Sequence, residues 1–412
     1  MLVGVAHPGT QHSWQTALAF QEGGNLGWYK TSFYYKAHAW PDRLVNLLPP
    51  RVSAKVEREL RRRYHPLLDP TLVRRDLSSE LLERPLRLVG ARGAADRLMR
   101  RRHVNFPDKV WRTYKDAPVD IIWGPHDCLE AAIQIQRRGG TFILDQPIGH
   151  FNSLRQTLLQ EREKHPDYFH PGDVYASAES VDRQNLAAKH ADIIVVGSEF
   201  AARTMIENGT DPDKLVTLPY GYDETLAPDQ FPTRVPQNGT PTKFLFVGSV
   251  GPRKGIAYLL EAFRKIDPKL AQLDIVGPLD MPENVLARDL GPSNYLGQAT
   301  RDEVFKLMQQ AHCFVFPSLF EGGGIVLYEA AACGLGVIQS DRCGDGVRGQ
   351  GNGIILEQIS VDDIVRSVEM ACTGNTMQQW RNASWAHRAE RTWAEYRSGA
   401  RNVAASIDTR RQ

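Results

Sequence analysis

The chain has 412 residues, with 50 Lys plus Arg against 48 Asp plus Glu, a formal charge of +2, and 42% hydrophobic residues. That composition excludes a disordered chain and a small disulfide scaffold, and the length favours two domains with cores of their own. The five cysteines (Cys128, Cys313, Cys333, Cys343 and Cys372) are odd in number and widely spaced, with no metal-binding pattern, which points to a reducing compartment and no structural metal.

The opening MLVGVAHPGT lacks a basic region followed by a long apolar one, so the expectation is a cytoplasmic protein. The apolar run Gly322 to Ile338 starts with three glycines and carries Glu329 in its middle, which argues against a membrane span.

In chain order, LVGVAH at Leu2 to His7 is the first predicted strand. Arg51 to Arg102 follows with fifteen basic and seven acidic residues, a local surplus of eight that the near-neutral total conceals. Within it VSAKVERELRRRYHPLL and ADRLMRRRHV interleave apolar residues with Arg at helical spacing, as in amphipathic surface helices. Such a face suits solvent or an anionic membrane surface, for a protein peripheral to the inner membrane face. Nucleic acid is not expected, because no aromatic interleaving or known binding pattern accompanies the arginines.

Further strands are predicted at VDIIWGP from Val119, TFILD from Thr141, ADIIVVGS from Ala191 and KLVTLP from Lys214, alternating with helical stretches. After Asp223 the text ETLAPDQFPTRVPQNGTPT carries four prolines and reads as a linker. A second alternating series then begins with KFLFVGS, GIAYLLEAFRKI, LAQLDIVGP, TRDEVFKLMQQA, CFVFPS, IVLYEAAAC and LGVIQSD. The expected fold is α/β, with two Rossmann-like doubly wound domains facing each other across a cleft. Their predicted extents are 1–222 and 242–385, joined by a linker at 223–241, with a C-terminal helix in 386–412 packing back on the first domain.

The segment FVFPSLFEGGGIVLYE, Phe314 to Glu329, joins a strand to a helix through Glu321 and three glycines. Glycine costs backbone entropy, so Gly322, Gly323 and Gly324 make sense if main chain approaches a ligand and offers amides at a helix N-terminus, where phosphate binds. Glu321 and Glu329 flank that nest at roughly 10 Å. Carboxylates bind hydroxyls, so one on each side of a diphosphate suits a nucleotide sugar. The alternative is a surface loop and a glutamate that complements the helix dipole. Upstream, FLFVGSVGPRKG places Ser249, Arg253 and Lys254 in a loop leading into a helix, where the two cations can neutralise a departing diphosphate.

These residues resemble the retaining GT-B glycosyltransferases of glycosyltransferase family 4, whose marker is a Glu, seven residues and a second Glu, as at Glu321 and Glu329. The resemblance extends to VGSVGPRKGIAYLLEAF, KLVTLPYGYD, ADIIVVGSEF and WGPHD, and covers most of Val119 to Leu356. It implies that Lys254 and Arg253 bind the donor diphosphate, with Gly248 and Ser249 in the same loop. It further implies that Glu329 holds the ribose, and that Glu321 with Gly322, Gly323, Gly324, Ile325 and Val326 holds the transferred sugar. Tyr295 to Gly297, with Leu296 at its centre, resembles the stretch that meets the base, and His126 a histidine that contacts the donor sugar. Two departures stand out: Ser249 where the family often has Arg, and Gly323 where an aromatic is usual.

In the first half, Gly9, Thr10 and Gln11 of HPGTQHSW, and Asp145 and His150 of DQPIGH, are candidates for holding phosphate or acceptor; an ordinary turn is the alternative for the first group. Asp211 and Asp213 spell the metal signature of another glycosyltransferase fold but lie in a turn, NGTDPDKL. The expected reaction is metal-independent transfer of a hexosyl group, with retention, from a UDP- or GDP-sugar co-substrate to a hydroxyl of a glycan or lipid-linked acceptor. No other cofactor is expected. The alternatives are a glycoside hydrolase using the two glutamates, and a non-catalytic nucleotide-sugar-binding protein that docks on membranes.

Overall fold

The computed structural model describes the chain except residues 10, 37–38, 40–41, 43–44, 46–48, 62, 77–91, 174, 233–238, 350 and 412. Thr10 therefore lies outside the described residues, as do parts of the basic Arg51 to Arg102 segment and of the linker.

The first sheet is built from β1 (Val3–His7), β2 (Leu26–Thr31), β3 (Val73–Arg75), β4 (Ile121–Gly124), β5 (Thr141–Gln146), β6 (Ile193–Val196) and β7 (Leu215–Thr217), in the order β3-β2-β1-β4-β5-β6-β7. β1 pairs in parallel with both β2 and β4, with Val5 opposite Tyr29 and Trp123. Residues of β1, β4 and β5 are all buried, as expected of a parallel sheet covered on both faces. β2 is not among the strands predicted from sequence. Its LGWYKT breaks the apolar pattern with a lysine, yet Lys30 is buried and donates to Asp76 at 2.7 Å, so a paired charge occupies an interior position.

The second sheet contains β8 (Thr242–Val247), β9 (Ala271–Val276), β10 (Asn294–Tyr295), β11 (Cys313–Phe316), β12 (Gly336–Gln339) and β13 (Gly353–Ile355), in the order β10-β9-β8-β11-β12-β13. Each of its neighbouring pairs is parallel. Renumbered from its first strand, that order is 3-2-1-4-5-6, the doubly wound arrangement, and the first six strands of the other sheet follow it too. Ligands of such sheets bind outside the carboxyl ends of the strands where the order reverses. Those points are β1 beside β4, and β8 beside β11.

By contacts the chain divides into a first unit of residues 1–146, 185–195 and 397–412, and a second of 147–184 and 196–396. This differs from the boundary read at 222 from the sequence. Residues 147–184 group with the second unit because their side chains anchor there: Tyr168 is buried in its core and donates to Asp289 at 2.9 Å, and Glu161 accepts from Tyr258 at 2.9 Å. Within the first unit, Arg397 of the C-terminal helix Trp393–Arg411 donates to Gln15 at 2.9 Å, and Arg401 donates to the Ala19 carbonyl at 3.2 Å.

The basic segment contains the helices Pro50–Arg61 and Arg92–Val104. No helix among the described residues is long and apolar enough to cross a membrane. Asp211 accepts from the Asp213 amide at 3.0 Å and so caps the turn Pro212–Lys214.

Candidate active site

In the second unit β8 leads through Gly248 and Ser249 into the short turn Pro252–Lys254 and then the helix Ile256–Lys265. β11, its neighbour, leads through Pro317 to Gly324 into the helix Ile325–Ala332. The two loops meet: the Leu319 amide donates to the Arg253 carbonyl at 2.9 Å, and Arg253 donates to the Phe320 carbonyl at 2.8 Å. Adjacent strands thereby carry Arg253 and Lys254 onto Glu321, and both cations donate to its Oε1.

Lys254 is 7% exposed, and its ammonium also sits 4.6 Å from the centre of the Phe316 ring. Burial would raise the Glu321 carboxyl, but Lys254 and Arg253 outweigh it and hold the group below the usual carboxylate range. Burial lowers Lys254 even with Glu321 beside it. The site is thus a half-buried anion faced by two cations, of which Lys254 is buried.

Glu329 lies in the helix Ile325–Ala332, buried, and Arg301 grips its Oε1 with Nη2 at 2.7 Å and Nε at 3.2 Å. Arg301 opens the helix Arg301–Gln310, whose start is set by a capping box between Thr300 and Glu303. Sequence reasoning read TRDEVFKLMQQA only as a helix and missed this arginine. Its signal was present, a cation at the first turn after a Thr cap, but the spacing to Glu329 exists only in space.

For two of the three glycines the structure gives a different reason from the one read in the sequence. A Cβ on Gly322 would lie 1.8 Å from the Pro147 carbonyl oxygen, and one on Gly323 2.4 Å from the Tyr220 ring. Packing within the protein by itself requires them to be bare. Gly324 caps the helix at φ 60°, a left-handed conformation that favours glycine. Ser198 donates to the Gly322 carbonyl, fastening the loop. Ile325 and Val326 begin the helix and are half-buried. Tyr220, unremarked in the sequence, occupies the space beside Gly323, the position where an aromatic was expected.

Ser249 donates to Asp280 at 3.2 Å. Leu296 is 47% exposed, its amide bonded to the Ile275 carbonyl at 2.9 Å, and Tyr295 donates to the Gly277 carbonyl at 2.9 Å. His150 is buried and caps the helix Phe151–Lys164, its Nδ1 accepting from the Asn152 amide at 3.2 Å.

The first unit gathers its candidates at β1, β4 and β5. Asp145, next to last in β5, is buried and accepts from His12 Nε2 at 2.9 and 3.1 Å; burial would raise its carboxyl, but His12 and His7 hold it low. The Gly9 amide donates to His7 Nδ1 at 2.9 Å, Thr31 donates to the Gly9 carbonyl at 3.0 Å, and Gln11 adopts φ 40°. His7 is pushed down to about 4 by burial, partly offset by Asp145. With Nδ1 accepting, the neutral ring carries its proton on Nε2. His126 starts the turn His126–Cys128, half-buried, with Nε2 4.0 Å from Asp127, which in turn binds His103 at 2.8 Å. His7 and His12 were passed over in the sequence, although both flank the loop that was singled out.

Comparison with known proteins agrees with this fold. Residues 229–385 match the family described as Glycosyl transferases group 1. A D-inositol 3-phosphate glycosyltransferase of Mycobacterium sp. (strain JLS) is 32% identical over 162 residues, 36% of this chain and 37% of that protein. The O-antigen chain mannosyltransferase B of Escherichia coli is 27% identical over 191 residues, 43% of this chain and 49% of that protein. The chain thus matches less than half the length of these relatives. Among solved structures, sucrose-phosphate synthase from Thermosynechococcus elongatus superposes with a TM-score of 0.67 at 14% identity, covering 99% of this chain and 100% of that one. HepE of Anabaena, solved with UDP-glucose, gives 0.62 at 13% identity, covering 98% and 100%. The chain has the GT-B fold of two Rossmann-like α/β domains, and its residues 229–385 match the family model of glycosyl transferases group 1.

Proposed function

We propose that the protein is a retaining, metal-independent glycosyltransferase that moves a hexosyl group from a nucleoside diphosphate sugar to an acceptor hydroxyl in glycan or glycolipid synthesis. The observation that carries this reading is the meeting of Lys254, Arg253 and Glu321 at the carboxyl ends of β8 and β11, inside the domain that matches glycosyl transferases group 1. Lys254 and Arg253 turn from Glu321 toward the diphosphate and neutralise the charge that grows on it as the bond to the anomeric carbon breaks. The acceptor oxygen bonds to that carbon on the same face, and its proton passes to the departing phosphate oxygen.

Glu321 accepts hydrogen bonds from the transferred sugar and the Gly322 to Gly324 segment closes around it; Glu329, released from Arg301, takes the ribose hydroxyls. Gly248, Ser249 and the Leu296 segment border the phosphates and base. His126 contributes to the sugar site, and Gly9, Gln11 and Asp145 to the acceptor side. A glycoside hydrolase accounts for the two glutamates but gives no role to Lys254 and Arg253, and Glu321, held low by those cations, is unsuited to be the acid of such a pair.

Support for the donor half comes from relatives that carry the same domain and from HepE, which binds UDP-glucose. The test is thermal unfolding in EDTA with UDP, GDP, ADP, TDP and their sugars, beside Glu329→Ala. A ligand at a hundred times its Kd adds about 2.7 kcal/mol. A rise with one base only, lost in the variant, supports the reading; no rise with any of them overturns it. The acceptor side at the membrane is tested by sedimenting the protein with anionic vesicles at low salt, where failure to bind removes the role proposed for Arg51 to Arg102.

A further inference from the structure

The last residue of β1, His7, is 8% exposed and stands at the carboxyl end of the first sheet, where β1 runs beside β4 and the strand order reverses. We propose that His7 selects and orients the acceptor by donating a hydrogen bond from Nε2 to an uncharged hydroxyl oxygen. The proposal rests on the glycosyltransferase reading above and adds to it a residue and an acceptor class.

The ring is fixed before any ligand arrives. An amide N–H can only donate, so the Gly9 bond at 2.9 Å makes Nδ1 the acceptor and leaves the proton of the neutral ring on Nε2. The Gly9 peptide is itself held, because Thr31, which pairs with His7 between β2 and β1, donates to the Gly9 carbonyl at 3.0 Å. Strand pairing thereby sets the direction of the Nε2–H bond, and a donor fixed in advance gives up little freedom when a ligand accepts from it.

Nε2 has no hydrogen-bond partner among the described residues. Two carboxylates, Asp145 and Asp127, act on the ring through their charge, but each is engaged elsewhere. Asp145 accepts from His12 Nε2 at 2.9 Å, and His103 Nδ1 lies 2.8 Å from Asp127. Unlike Ser32 Oγ, which is sealed in the interior without a partner, His7 Nε2 keeps accessible surface, so a ligand atom can reach it. A donor in so buried a side chain, unmatched by the protein and open on one side, is explained by an oxygen supplied from outside.

The charge state decides which oxygen. Burial keeps the ring neutral down to about 4 although Asp145 and Asp127 favour its proton, so at neutral pH Nε2–H offers a dipole and no net charge. A phosphate or carboxylate on the acceptor would gain no charge-assisted bond there and would meet the ionised Asp145; a sugar hydroxyl carries no such cost. Nδ1 is taken by the Gly9 amide and Nε2 holds its proton, so the ring accepts no proton from the hydroxyl. His7 therefore acts on which acceptor binds and how it lies, which agrees with a proton that passes to the departing phosphate.

The experiment follows the histidine rings of the full chain at neutral pH by long-range proton–nitrogen correlation NMR. Methyl α-glucoside, methyl α-mannoside and the methyl glycoside of N-acetylglucosamine are titrated to millimolar concentration, with glucose 6-phosphate and mannose 6-phosphate alongside. Saturation transfer on the sugars gives affinities for the parent, for His7→Phe, which has no donor, and for His7→Gln, whose amide carries one at a similar reach. Expected is an Nε2-protonated His7 whose ring signals shift saturably with at least one neutral glycoside. Binding should be about tenfold weaker in His7→Phe and close to the parent's in His7→Gln, and the phosphorylated sugars should bind less tightly than the neutral ones. An Nδ1-protonated ring, no shift with any neutral glycoside, undiminished binding by His7→Phe, or preference for a phosphorylated sugar each overturns the proposal. The ring signals of the parent decide the matter if the variants do not fold. Thermal unfolding of the parent with the nucleotides separates the proposal from its premise: stabilisation by a nucleotide without any response to the glycosides overturns the acceptor proposal alone, whereas failure of every nucleotide overturns the reading on which it rests.

Discussion

Two carboxylates, one in each unit, half-buried Glu321 and buried Asp145, are paired in different ways. Glu321 faces the guanidinium and ammonium groups of Arg253 and Lys254. Asp145 faces an imidazole, His12, with His7 nearby, and burial keeps His7 neutral down to about 4. The first arrangement gathers two basic side chains on one carboxylate at the carboxyl ends of β8 and β11. The second couples the end of its sheet to acidification, because His7 takes up its proton at 6.5 when unfolded and only at about 4 when folded. The contrast shows that a carboxylate is defined by what it is paired with.

The largest expected effect breaks the first half of that contrast. Glu321→Ala leaves Lys254 buried without its counter-charge, which costs about 3–5 kcal/mol. Urea unfolding of Glu321→Ala and of Lys254→Met/Glu321→Leu measures it, with most of the loss recovered in the double variant. Equal loss in both would mean that packing, not charge, matters at this position.

Next is the pH dependence of the histidine cluster. His7 has a folded value of about 4 against 6.5 in the unfolded chain, so the unfolded state takes up a proton first as pH falls. Stability is fully present above 6.5 and declines from there down to about 4, by about 3 kcal/mol. Asp145, held low, contributes stability present above the unfolded carboxylate value that is lost only as the solution becomes more acidic than that. Denaturant midpoints across this range should fall steadily, and His7→Phe should flatten the curve between 6.5 and 4; a curve unchanged by that substitution would contradict the assignment.

A smaller effect sharpens the account of the glycines. Gly323→Ala pushes a methyl group into the Tyr220 ring and should cost about 1–3 kcal/mol, relieved by Tyr220→Leu. Equal stability of Gly323→Ala and the parent would return the glycine to the ligand-approach explanation. The smallest is Arg301→Ala: the guanidinium is about half exposed and screened by solvent, so about 1 kcal/mol is expected. The same variant should bind nucleotide more tightly if Arg301 competes with ribose for Glu329, which calorimetric titration reads directly.

Much of the fold could be read along the chain because its strands are apolar runs separated by helical periodicity. The predicted strand and helix segments of the second series all fall on observed elements, from KFLFVGS on β8 to LGVIQSD on β12. β10 and β13, of two and three residues, are too short to carry a pattern, and β2 hides behind its buried lysine. The Glu321 to Glu329 spacing and the Arg253–Lys254 pair were legible because each is local. Arg301, Tyr220 and His12 were not, because each meets its partner from another element.

What the sequence determined by itself is therefore the class of fold and the residue types at the carboxyl ends of β8 and β11, since hydrophobic period and turn chemistry are short-range properties. Only the tertiary structure decided that both cations converge on Glu321, that Arg301 holds Glu329, that packing accounts for Gly322 and Gly323, and that residues 147–184 belong with the second unit. Those outcomes depend on which loops the parallel pairing of β8 with β11 brings side by side, and on charges that find counter-charges across many residues of chain, a choice that no local pattern encodes.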